Sequence, residues 1–417
     1  MFKKRMLSLL MISLLVFVAG CSTGSNPKTT NSTPPISNDV KFGKGDYKKI
    51  TTANNELGFE LLSVAEEDDN NNVFISPASL FMALSMVYNG TDGKTKEEIA
   101  KTLHIEGMEA DELNQANASW LTKLMKENDQ IQLNIANSVW LNEVLHFQDD
   151  FAKNNSDYFN AQIQEIDIAD SDSVKRINDW VKKSTDQKID GIVKAPLDPD
   201  LVTLLINAIY FKGDWTHEFN KDLTNDQAFH LLDGSTKDVP LMSLNEKLAY
   251  MENEHFQAVE LPYGEGEMSM KVFLPKEDSS LEEFKKLLTN ENWVNWSKEF
   301  NARQGNVLLP KFRLEYETQL NDALKKLGMG SAFSDSADFS KMIKEDHPLK
   351  ISKVKQKTFI EVNEVGTEAA AVTSVEVVTE SASVDDSFFM EVNRPFFFTI
   401  TDDETDTILF MGSISNP

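Results

Sequence analysis

Thr358-Phe359-Ile360-Glu361-Val362-Asn363-Glu364-Val365-Gly366-Thr367-Glu368-Ala369-Ala370-Ala371-Val372-Thr373 decides how this chain is read. Its first five residues read as a strand. The residues after Glu364 are small and weakly hydrophobic over a long run, with no helical or tight-turn signal to end the strand. Successive residues of an extended chain point to opposite faces of a sheet, so the run sorts by parity. One face takes Thr367, Ala369, Ala371, Thr373, Val375, Val377 and Thr379, none of them charged or bulky. The other takes Glu368, Ala370, Val372, Ser374, Glu376, Val378 and Glu380, which hold every charge of the segment. The stretch fits inside a sheet without having to begin there.

Outward from it, Val354 to Val362 alternates as a strand, while Leu201 to Phe211 is apolar almost throughout, the mark of a strand covered on both faces. Helical spacing of Leu57, Phe59, Leu61, Leu62 and Ala65 predicts a helix over Asn55 to Ala65. Ser79 to Tyr88 reads as a buried helix ended by Asn89-Gly90. Thr95 to Glu98 has the form of a capping box. Leu314 to Leu327 reads as a further helix, stopped by Gly328. Helices and strands alternate without a βαβ rhythm, so the pattern is α+β.

The 417 residues, 41% hydrophobic, suffice for a large core, and no second polar linker divides them. Lysines and arginines number 41 against 67 acids, a net charge of −26, and loss of Lys3, Lys4 and Arg5 with a leader makes the remainder more acidic still. That balance disfavours nucleic acid, heparin-like polyanions and anionic lipid as partners of the folded part. The lone cysteine, Cys21, ends an apolar run, Met6 to Gly20, that follows the basic Met1 to Arg5. Val18-Ala19-Gly20-Cys21 is similar to a bacterial lipobox, the alternative being an ordinary secretory signal with a stray cysteine. The expected organisation is a lipoprotein signal peptide over 1–20, an acylated Cys21 with a disordered tether to 46, and a folded domain over 47–417. With Cys21 acylated no thiol remains for catalysis, a disulfide or a metal. The protein would face the extracellular or periplasmic side, held on the membrane by its lipid.

Ile360 to Ala371 resembles the hinge of the reactive-centre loop in serpins, the suicide inhibitors of proteases. The resemblance runs from about Tyr47 to Pro417 through motifs in the family's order. They are Ser76-Pro77-Ala78-Ser79, Ala136-Asn137-Ser138-Val139-Trp140, Ile177-Asn178-Asp179-Trp180-Val181, Asn207 to Trp215, Glu260-Leu261-Pro262-Tyr263, Leu309-Pro310-Lys311-Phe312, Arg394 to Phe398 and Ile408 to Gly412. It implies a serpin fold of three β-sheets and about eight or nine helices. The loop, over about 364–390, would be exposed at one pole of a metastable native state.

The family likeness also implies roles. Leu201 to Tyr210 and Val354 to Val362 would part after the loop is cut, and the loop would slide between them, starting at Thr367. Glu364, Gly366, Thr367, Glu368, Ala369, Ala370 and Ala371 would form the hinge, with Glu364 paired to Lys311. Ser76, Ser79, Asn207 and Gln356 would latch the sheet, and Trp215 would mark where insertion starts. Gln356 stands where histidine is common, and a glutamine cannot titrate near neutral pH. The family's loop length places the scissile bond at Glu380–Ser381, with Thr379 and Ala382 as neighbours open to a shift of one or two residues. A glutamyl-specific serine protease, or a cysteine endopeptidase, is the implied partner, and the inhibitor would be a monomer without cofactor, metal or catalytic residue. A non-inhibitory serpin acting as a binding or scaffold protein is the alternative. An enzyme is disfavoured, because the six histidines show no H-E-x-x-H spacing and neither a G-x-S-x-G elbow nor a glycine-rich phosphate loop appears. A solute-binding lipoprotein has no reason to carry these motifs.

Overall fold

Apolarity on both faces puts the strand Thr203–Asp214 at the centre of a sheet, and its residues are buried from Thr203 through Phe211. The computed structural model describes residues 36–126, 128–367 and 387–417. On one side this strand pairs antiparallel with Ile131–Asn142, which carries the parallel edge strand Gln162–Ile166. On the other it pairs parallel with Lys353–Val362, followed by Phe312–Gln319 at the far edge. This six-stranded main sheet holds one further, two-residue strand, Gly366–Thr367, between its two central strands.

The second sheet has nine strands, eight of them in a path from Val73–Ile75 through Thr407–Ile414, Phe396–Asp402, Met268–Pro275, Phe256–Tyr263, Thr236–Glu252 and Asn301–Pro310 to Phe388–Glu391. Asn225–His230 pairs with Thr236–Glu252 off this path. The 17-residue strand Thr236–Glu252 therefore hydrogen-bonds the second and third expected sheets into one continuous ladder. The described residues hold nine α-helices, and they belong to one compact unit over 33–417.

Helix Pro77–Tyr88 is buried at every residue. Its start is fixed by the Ser76 side chain, which accepts from the Ser79 amide at 3.3 Å, and by Pro77, whose missing N–H is no loss in a first turn. Three local expectations change. The segment from Leu314 to Leu327 is not one helix: Phe312–Gln319 is a strand and only Asn321–Lys326 is helical. Leu314, Tyr316 and Thr318 alternate with Arg313, Glu315 and Glu317, a period of two that helical spacing farther along obscured. The helix expected to be capped at Thr95 spans Gly93–Thr102 with Asp92 as its cap, leaving the Thr95 hydroxyl to accept from the Asp338 amide at 2.9 Å. Residues 36–46, assigned to the tether by composition, lie against the body. Ile36 packs on the core, and the Ser37 amide donates to the Asp157 carbonyl at 3.3 Å.

Candidate functional site: the seam of the main sheet and its hinge

The two central strands run in parallel register from Lys353↔Leu204 to Phe359↔Tyr210, and beyond that pair they diverge. Into the wedge goes Gly366–Thr367, antiparallel to both neighbours, with Thr367 opposite Val362 on one side and Gly213 on the other. The passage is built from absent side chains. A Cβ on Gly366 would lie 2.2 Å from the Gly213 carbonyl oxygen, and one on Gly213 would lie 2.8 Å from the Tyr263 ring. Only glycine permits that approach.

Thr367 is fully buried, and its hydroxyl lies 2.6 Å from the Tyr263 hydroxyl. Trp215 stacks on Tyr263, centroids 4.4 Å apart and planes within 11°. Its indole N–H donates to the Asn363 carbonyl and its amide to the Val365 carbonyl, each at 2.9 Å. Burial pushes the Tyr263 phenol well above its ordinary range, so it stays a neutral hydroxyl.

Asn363 makes the turn before the hinge, its side-chain oxygen accepting from Val365 N at 3.0 Å and Gly366 N at 3.3 Å. Glu364 receives Lys311 Nζ at 3.0 Å and the Thr224 hydroxyl at 3.1 Å, while the Phe219 amide takes its carbonyl at 2.8 Å. Burial alone would raise the Glu364 carboxyl. Its own backbone amide, Lys311 and Thr224 outweigh that and hold it below the usual value.

Midway down the seam Gln356 faces Asn207 across the parallel pair. The Gln356 amide group donates to the Ser76 carbonyl and to Asn207 Oδ1, and its oxygen accepts from the Ser76 amide, all at 3.0 Å. Asn207 donates to the Ser79 carbonyl at 2.9 Å, to the Ser79 hydroxyl, and to Asn137 Oδ1 at 2.6 Å. Ser76 Oγ donates to the Leu409 carbonyl at 2.7 Å. These groups are buried and bonded, which a polar cluster in a core requires. Glutamine satisfies both neighbours without titrating, so the geometry needs no ionisable group there.

The structure thus brings Ser76, Ser79, Asn207 and Gln356 into one cluster and Trp215, Glu364, Gly366, Thr367 and Lys311 into another. Glu368, Ala369, Ala370, Ala371, Thr379, Glu380, Ser381, Ala382 and Cys21 lie outside the described residues. One expectation changes in timing: insertion was to begin at Thr367 after cleavage, yet Gly366 and Thr367 already sit in the sheet of the uncut chain.

Sequence reasoning assigned no role to Tyr263, Asn137, Asn363 or Thr224. Tyr263 and Asn137 lie within quoted motifs, but their partners are distant in the chain. It also passed over Lys355 and Lys357. Lys355 Nζ donates to the Ile192 carbonyl at 2.8 Å and Lys357 Nζ to the Gly191 carbonyl at 3.1 Å, strapping the segment after helix Ser171–Ser184 across the lower seam. Among the described residues no group of three or more His, Cys, Asp or Glu could hold a metal, and no helix is long and apolar enough to cross a membrane.

A family model described as serpin (serine protease inhibitor) matches residues 52–417. Iripin-2 of Ixodes ricinus is 33% identical over 373 residues, covering 88% of this chain and 93% of that protein. A serpin-like protein of Thermococcus kodakarensis is 34% identical over 427 residues, covering 98% of each chain. Among solved structures, the thermophilic serpin tengpin in its native state aligns with a TM-score of 0.82 at 34% identity, covering 92% of this chain and 97% of that one. Human thyroxine-binding globulin, solved with thyroxine, aligns with a TM-score of 0.80 at 24% identity over 89% of this chain and 99% of that one, a likeness of fold alone.

Proposed function

The chain belongs to the serpin family, whose members are in general inhibitors of proteases, and from that premise we propose that it traps a serine or cysteine endopeptidase covalently by inserting its cut loop into the main sheet. The observation that carries this reading is the register of Gly366–Thr367 between both central strands. Continued antiparallel, that register sets Thr373 opposite Gln356 on one strand and Asn207 on the other. A hydroxyl would then arrive at the bond that joins the two halves of the latch and accept or donate in its place. Between Thr367 and Thr373 the inward positions are Ala369 and Ala371, which put neither charge nor bulk in the way.

The driving force is the exchange of solvated backbone for ladder hydrogen bonds, at roughly 0.5–1.5 kcal/mol net per residue, with burial of the Thr/Ala/Val face added. In the proposed reaction the protease nucleophile attacks the Glu380 carbonyl, and the Glu380–Ser381 peptide bond breaks. The Ser381 amine leaves with a proton, and an acyl-enzyme ester or thioester remains. Insertion then drags the enzyme away and spoils its oxyanion hole before water attacks. Glu380 in the primary pocket selects an acid-preferring protease. The same proposal holds the molecule on a membrane by a lipid on Cys21, as in a bacterial lipoprotein, with the domain outside the cell or in the periplasm.

Mixing the purified protein with a glutamyl-specific serine protease should give a covalent complex that survives denaturing electrophoresis. Thr367→Arg, which places a charge at a fully buried inward position, should be cut at the same loop without forming that complex. Cleavage of the wild type without any complex would instead assign the non-inhibitory reading.

A further inference from the structure

Within that trapping reaction, we propose that Tyr263 is a positioning residue. Its hydroxyl, closed on the hydroxyl of Thr367, holds the start of the loop inside the sheet before any bond is cut. The inference rests on the proposed function, because it concerns how the same insertion begins.

Tyr263 cannot easily move. Its ring is stacked on Trp215 and meets Phe211 edge-on at 5.0 Å, and the bare backbone of Gly213 lies against it. Its backbone is bridged to Trp215, and the neighbouring Pro262 carbonyl takes the Thr216 amide at 2.9 Å. The ring is fully buried, so its hydroxyl meets Thr367 in a dry site. Separating the pair would strand two buried hydroxyls, which costs more than the bond is worth between solvated groups. Because burial keeps the phenol neutral, the pair persists at any ordinary pH.

The kinetic consequence comes from how strands grow. Seating the first residues of a new strand fixes backbone before the ladder returns much, whereas each later residue adds bonds to a formed end. With Gly366 and Thr367 seated on both neighbours, that first cost has been met in the uncut molecule. Insertion after cleavage is then propagation, which must outrun deacylation of the acyl-enzyme. Without the lock, a larger share of the inhibitor is turned over as an ordinary substrate.

Two measurements on the full chain test this. Amide exchange in the uncut protein should show Gly366 and Thr367 protected in the wild type and exposed in Tyr263→Phe. Titration against a loop-cleaving serine protease should show Tyr263→Phe and Thr367→Val each consuming about fivefold more inhibitor per enzyme trapped, the ratio for one buried bond of average worth. The double variant should be about as poor as either single, because one bond can be lost only once, whereas independent structural defects at the two sites would add. Equal protection in wild type and Tyr263→Phe, or a double variant as poor as both singles combined, would overturn the lock. Should Tyr263→Phe fail to fold, Thr367→Val carries both measurements with the ring intact. If the wild type traps no protease, the proposed function falls, and the exchange comparison still decides the lock.

Discussion

The nine-stranded sheet packs through rings, both between its own strands and against the helix Asn290–Ser297. Phe273 lies 5.8 Å from both Phe397 and Trp293, Phe256 lies 4.9 Å from Trp296, and Phe398 lies 5.6 Å from Phe74. Across the seam of the main sheet the contact at mid-height is between amides and hydroxyls, Gln356 and Asn207 with Ser76, Ser79 and Asn137. Interlocked rings cannot be exchanged for anything without opening a cavity. A hydrogen bond can be handed to a newcomer that offers a donor and an acceptor. The ring-packed sheet is suited to stay whole, and the amide-latched one to open along a defined line. The seam is also a parallel pair, slightly weaker per residue than an antiparallel one, and an incoming antiparallel strand replaces it with two antiparallel pairings.

The largest separation should come from Phe398→Ala. The ring is fully buried and fills the space over Gly412, so its loss should cost about 3–5 kcal/mol in chemical denaturation. The division between trapped and turned-over inhibitor should not change; a shift in that division would show that the two sheets do not act separately. Next is Gln356→Ala, which leaves Asn207 Oδ1 and the Ser76 amide buried without their partner, at about 1–3 kcal/mol. Uptake of a synthetic peptide copying residues 367–379 should speed up in this variant. Unchanged uptake would mean that the amide cluster does not hold the seam.

Smallest is Glu364→Gln, since Lys311 is 44% exposed and such a pair contributes at most about 1 kcal/mol. The carboxyl sits below its ordinary value in the fold, so its contribution is present above its unfolded value and is lost as pH falls through the folded one. Wild-type and variant melting curves should therefore differ at neutral pH and converge in acid. A constant gap across pH would remove charge from the account of how the hinge is tied.

What the sequence made legible was local and periodic. Parity in the loop, the unbroken apolarity of Leu201 to Phe211 and the spacing of Leu57 to Leu62 each reflect one element's own surroundings. The strand Phe312–Gln319 was hidden because its alternation runs directly into helically spaced Leu320 and Leu324, and one window averaged the two. Asp92 was passed over as a cap because Thr95-Lys96-Glu97-Glu98 offered a closer match to the usual pattern, although that threonine serves Asp338. The Tyr263–Thr367 bond joins residues 104 apart in the chain, and no local pattern encodes such a meeting. Early seating of Gly366 depends on its close approach to the Gly213 carbonyl of a neighbouring strand, which only the assembled sheet reveals.

The path of the chain beyond the loop has its own consequence. Phe396–Asp402 and Thr407–Ile414 are interior strands of the nine-stranded sheet, each flanked on both sides. A single cut between residues 367 and 387 would therefore yield two polypeptides that travel as one particle. On a sizing column the nicked species should elute with the intact one, and the short C-terminal peptide should appear only in detergent. Such a fragment is held as firmly as any other part of the core, so the molecule can be severed without coming apart.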